Sequence, residues 1–224
     1  MAVLSFQTIV KHSKDVPKGS ELIEPFVESN CKAASYDLTV GSEAYIYRSG
    51  KAVHIQKLKK KGQSFDVPPG ELAFVLTAES LHLPDNISAR LSLRLGLTCL
   101  GLILGTQPPI DPGYHGHIMC LLHNLGHREV TLERGQHLLT IEFTWLDEGT
   151  NRSFSCAASP EKYQDLDSLE QWVTRPMTTE HYRLSQEIRK IRKSYDRIAL
   201  AALVVVLASV VVPIILFVLA RCWK

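Results

Sequence analysis

The sequence predicts an all-β domain, a sandwich or distorted barrel, followed by a helical stalk and one membrane-crossing helix. Three observations carry that prediction. Short apolar or alternating runs (72–77, 118–122, 130–132 and 138–143) recur at regular spacing between Pro- and Gly-containing turns, the pattern of half-buried strands. Residues 198–220 form an almost wholly apolar stretch without one charge. Between these parts, Met177, His181, Leu184, Ile188, Ile191, Tyr195 and Ile198 alternate steps of four and three, the seam of a period-3.5 helix.

Taken in order, residues 4–11 read as a short helix that Ser5 can cap. Residues 37–40 and 44–47 read as two strands separated by Gly41-Ser42, and the turn at 48–51 folds the second back onto 53–55. The basic loop of Lys57, Lys59, Lys60 and Lys61 is either a solvated linker or a membrane-facing patch. A turn at 65–71 leads into the strand 72–77, and residues 87–97 alternate apolar residues with Arg90, Ser92 and Arg94. After Trp145 the β pattern fades, and 160–172 is polar with a helical tendency. The expected layout is a β domain over 1–165, a linker and amphipathic stalk over 166–197, a transmembrane helix over 198–220 and a short tail, 221–224. The stalk seam either associates with copies of itself or lies on its own domain.

Charge and composition narrow the function. The 224 residues carry a formal net charge of +2, so bulk electrostatics gives no reason to expect a nucleic-acid partner. At ~1.5 Å per residue the apolar stretch would span about 34 Å, enough to cross a bilayer. Arg189, Lys190, Arg192, Lys193 and Arg197 precede it, and the N-terminus lacks a basic lead. The positive-inside rule then predicts a single-pass, tail-anchored protein whose soluble domain faces the cytoplasm. The five cysteines form no CxxC pair, and the nine histidines form no HExxH or Cys/His set, so no protein-held metal is expected. No GxGxxG or Walker pattern is present.

The chemistry centres on Ile110-Asp111-Pro112-Gly113-Tyr114-His115-Gly116. Pro presets φ and Gly accepts φ > 0, so this is a tight turn before the 118–122 strand. It is either a structural turn capped by its own Asp or a mouth presenting a carboxylate and a ring. Arg90, Ser92 and Arg94 fall on one face by period two. They are either surface charge on an edge strand or a phosphate site, where forked guanidinium donors match phosphate oxygens.

Ala33-Ala34-Ser35-Tyr36-Asp37-Leu38-Thr39-Val40-Gly41, then Arg90 to Leu97, the Asp111 turn, and Leu132-Glu133-Arg134-Gly135 occur in the order and spacing that resemble the dCTP deaminase/dUTPase superfamily. Ile23-Glu24-Pro25-Phe26 resembles its deaminase branch. The resemblance implies a trimeric, dUTPase-like jelly-roll or distorted barrel that binds a deoxypyrimidine nucleoside triphosphate. It implies that Arg90, Ser92 and Arg94 hold phosphates, that Asp111 orients a water and faces the sugar, and that Tyr114 stacks on it. It further implies that Lys162 and Tyr163 close over the triphosphate, and that Asp37 helps hold, through water, a magnesium ion carried with the nucleotide. Two departures accompany it. The glutamate a deaminase uses as its base corresponds to Leu121, and no Gly-rich covering loop follows Trp145. The expectation is a membrane-anchored nucleotide-binding protein, whether hydrolase or deaminase. The alternative is a non-catalytic trimer in which nucleotide occupancy controls the membrane segment.

Overall fold

The computed structural model describes residues 2–47, 54–105, 108–151, 187–204, 207 and 209. The chain falls into two units, Met1–Pro176 and Met177–Lys224. In the first, β1 (Ala2–Val3) precedes α1 (Phe6–Lys14), β2 (Ile23–Glu24), β3 (Tyr36–Tyr47), β4 (His54–Lys57), β5 (Ser64–Val67), β6 (Leu72–His82) and β7 (Ile87–Leu93). Then come the one-turn helix α2 (Leu95–Cys99), β8 (Leu102–Leu104), β9 (His115–Asn124), β10 (Val130–Glu133) and β11 (His137–Trp145). The domain is mostly β, as expected, and every strand pairing among the described residues is antiparallel.

A single sheet runs β1-β11-β3-β6-β9-β8, with β2 on β6, β4 on β3 and β7 on β11; β5 and β10 form a separate ribbon. What curls it is β3. The two strands expected at 37–40 and 44–47 are one long strand that changes partner. Tyr36 to Thr39 pair with β11, while Ala44 to Tyr47 pair with β6, with a register break between. Gly41 stands at that break, where a Cβ would lie 2.7 Å from the carbonyl oxygens of both Leu76 and Thr77. Only glycine lets the backbones approach this closely.

The alternation read from the sequence decides what is buried. In β9, Gly116, Ile118, Cys120, Leu122 and Asn124 point inward, and in β11 Leu138, Leu139, Ile141 and Phe143 are fully covered. Each large apolar side chain taken from water contributes about 1.5–3 kcal/mol. Buried Asn124 is satisfied: its amide donates to the carbonyls of Val67 (2.7 Å) and Arg128 (2.8 Å), and its oxygen accepts from Gly126 N–H. The N-terminal helix forms as expected, with Ser5 at its cap.

One expectation needs correcting. The strand expected over 87–97 ends at Leu93, and the chain turns into α2. Arg94 is therefore the residue leaving the strand, at the cap of that helix, and not its third outward position. Among the described residues, no helix is long and apolar enough to cross a membrane. Most of the 198–220 stretch lies outside them. In the second unit, residues 187–204 are helical and exposed throughout; the first seam positions, Met177, His181 and Leu184, also lie outside the described residues.

Candidate functional site

Pairing, more than strand alternation alone, builds the polar half of the site. Ser92 in β7 faces Thr140 in β11, and Thr140 faces Asp37 in β3. The three side chains thus form one row across three strands. Asp37 is 3% exposed, and its carboxylate is fully engaged. Thr140 Oγ1 donates to it at 2.8 Å and Lys32 Nζ at 3.0 Å, and the Arg94 guanidinium pairs with its second oxygen. Burial, the largest influence, pushes the Asp37 pKa up; the hydrogen bonds from Lys32, Thr140 and Arg94 and the charge of Arg94 outweigh it, so the net shift is downward. Arg94 keeps further N–H donors beyond the pair. Together with Lys32, Ser92, Gly96 and Thr140 it lines a cavity of about 410 Å³. Ser92 Oγ reaches the Thr140 carbonyl at 3.4 Å. Arg90 is exposed opposite Glu142 and does not line this cavity.

The Asp111 turn forms as predicted. Tyr114 N–H donates to Asp111 O (3.2 Å), and Gly113 has φ +82°. Exchanges between Ile110 and Ala89, and from Gly113 N–H to Leu83 O, fasten the turn to its neighbours. Asp111 itself is exposed. Tyr114 Oη donates to His117 O at 2.6 Å, and its ring lines a second, mostly apolar cavity of about 350 Å³ with Asp111, Leu91, Leu104, Ile118 and Met119. No described residue lines both cavities. Leu91 and Ser92 are neighbours on β7, and strand alternation sends them to opposite faces. Within one chain, then, the cationic group and the carboxylate–ring group line separate cavities.

Leu121 lies in β9 opposite Phe74. Its carbonyl accepts from Gly105 N–H at 2.7 Å, and a Cβ at Gly105 would lie 3.0 Å from its Cδ2. Nothing that moves protons occupies that strand position. The other carboxylates near in sequence stand elsewhere: Glu129, Glu133 and Glu142 are exposed, with Glu133 paired against Ser64 and Glu142 against Arg90. Cys120, beside Leu121, is buried, and burial pushes its thiol pKa to about 12, so it stays protonated and inert.

Two of the predicted positions, Lys162 and Tyr163, lie outside the described residues. The metal-holding role expected of Asp37 finds no support in its surroundings: its oxygens already accept from two cations and a hydroxyl. Among the described residues, no three His, Cys, Asp or Glu side chains are grouped to hold a metal. The sequence reading missed Lys32 and the row role of Thr140, because only strand register connects them with Asp37. It also missed Glu79, a carboxyl 3% exposed on β6. Glu79 accepts from Thr39 N–H at 2.8 Å and from Thr39 Oγ1 at 2.9 Å. Burial raises its pKa, outweighing both bonds.

The chain and its fold resemble known proteins. The dCTP deaminase-like family model matches residues 3–145. A dCTP deaminase of Pyrococcus horikoshii is 36% identical over 134 residues, 60% of this chain and 81% of the relative. A dUMP-forming dCTP deaminase of Aquifex aeolicus is 27% identical, covering 62% and 81%. Among solved structures, the 2'-deoxycytidine 5'-triphosphate deaminase of Agrobacterium tumefaciens superposes with a TM-score of 0.52 at 21% identity, covering 64% of this chain and 48% of that one; this likeness concerns the fold. The chain belongs to the dCTP deaminase-like family.

Proposed function

We propose that the protein binds a deoxypyrimidine nucleoside triphosphate and does not deaminate it. The observation that carries this is Leu121. Deamination needs a group that passes a proton between the attacking water and the ring, a contribution of about 10²–10⁴-fold, and a leucine packed against Gly105 supplies none. Phosphate binding, by contrast, has its parts. Asp37 holds Arg94 in place, and the remaining guanidinium donors, Lys32 and Ser92 face open space. A divalent ion would arrive on the triphosphate and be held by its phosphates. Because the two groups line separate cavities within one chain, one nucleotide reaches both if a second copy brings its own Asp111 turn to this chain's Arg94. This supports a homotrimer, whose stalk seam would join the copies. The 198–220 stretch would anchor it in a membrane with the β domain in the cytoplasm.

A second reading, hydrolysis of dUTP, is favoured by Asp111, which stands exposed at the mouth of the apolar cavity. The test is incubation of the full chain, in mild detergent, with dCTP or dUTP and magnesium, with products separated by chromatography. No conversion of dCTP above background is expected. Robust deamination overturns the proposal, and pyrophosphate released from dUTP and lost in Asp111→Asn selects the second reading.

A further inference from the structure

The helix over 187–204 divides its surface in two. At about 100° per residue, Arg189, Lys190, Lys193 and Arg197 fall within an arc of about 100°. Ile188, Ile191, Tyr195 and Ile198 fall on the opposite side, in an arc of about 80°. Every one of these residues is exposed, Ile188 and Ile191 at 57% and Tyr195 at 70%. The two acids do not cancel the cationic face: by the same repeat Asp196 stands at its edge and Glu187 beside the apolar stripe. After Arg197 the described helix loses all charge, and Leu200, Leu203 and Val204 are exposed in turn. Association of copies would use only the apolar stripe. It leaves four cations aimed outward, within about 12 Å of axial rise, just before the chain becomes apolar.

We infer that this cationic face docks on anionic phospholipid headgroups, so that the protein selects a negatively charged membrane surface. The inference rests on the anchoring reading above. Lys and Arg side chains at this depth keep their stems along apolar surface while the charged ends reach phosphates. Each cation close to an anionic surface contributes about a factor of five in partitioning, so the four act together by roughly two orders of magnitude or more. The attraction weakens with salt because exposed charges are screened beyond about 10 Å at 0.1 M.

The experiment is flotation of the full chain with vesicles of phosphatidylcholine alone or with about one-third phosphatidylserine, in 0.1 M and 0.5 M salt. The wild type is expected to partition about 100-fold better into the anionic vesicles at low salt, and to lose most of that preference at high salt. The variant Arg189→Gln/Lys190→Gln/Lys193→Gln/Arg197→Gln should float equally with both lipids. Equal flotation of the wild type with both lipids overturns the inference while leaving the anchor standing, and flotation with neither overturns both. The variant Lys59→Gln/Lys60→Gln/Lys61→Gln should keep the preference. If it loses it, the contact belongs to the β-domain loop and the inference fails.

Discussion

Asp37 and Glu79 are equally hidden from water, each at 3% exposure, yet they respond to burial in opposite ways. Asp37 has two cations and a hydroxyl against it, and its pKa falls. Glu79 has the amide and hydroxyl of Thr39 and its own backbone N–H, all neutral donors, and its pKa rises. Neutral donors soften the desolvation of a carboxylate, whereas opposite charge reverses it. The difference separates their roles. The Asp37 cluster positions cations beside an open cavity. Glu79 ties β3 to β6 where both strands leave regular register.

The sharpest way to test that contrast is to remove each charge. Asp37→Ala leaves Arg94 and Lys32 facing each other without a counterion. We expect a loss of about 2–3 kcal/mol in urea unfolding, below the range for a fully buried pair because both cations are partly exposed. Arg94→Ala should weaken nucleotide binding by about 1.5–3 kcal/mol in calorimetry, the range for hydrogen bonds to charged groups; unchanged affinity would remove Arg94 from the site. Glu79→Gln should cost about 1 kcal/mol or less at neutral pH, since the amide oxygen still accepts one Thr39 bond.

The pH trends should run oppositely. The Asp37 pKa is depressed in the fold, so its contribution is present above the unfolded carboxylate value of about 3.9 and fades as pH falls through the folded one. The Glu79 pKa is raised, so its contribution is complete below about 4.3 and fades as pH rises through the folded value. In unfolding measured from pH 3 to 7, the penalty of Asp37→Asn should shrink toward acid and that of Glu79→Gln should shrink toward neutrality. Parallel trends would show that the two carboxylates are not distinguished by their partners.

Much of the β domain was legible. Alternation marks β9 and β11 because one face of each is buried, and Pro-Gly chemistry marks the Asp111 turn. The partner change within β3 was not legible, because Gly41-Ser42 carries the signature of a turn while acting as a close crossing. Arg94 was placed one element too early, since Arg90-Leu91-Ser92-Leu93-Arg94 alternates past the point where pairing with β11 stops at Leu93. Lys32 was invisible: it is distant from Arg94 in sequence, and only the fold brings both to Asp37. Leu121 was legible as a departure, but its fit against Gly105 required the structure.

That fit bears on reversibility. Gly105 brings the end of β8 directly against Leu121, and a Cβ at 105 would press on the leucine tip. A carboxylate serving as a base at 121 would need a water and donors beside it, and the backbone at Gly105 already takes one side of that place. The neighbour is fitted to the leucine, so changing the leucine alone does not rebuild a proton-passing site. Leu121→Glu is therefore expected to lower stability and to leave dCTP unconverted, and installing that chemistry would require a change at Gly105 as well.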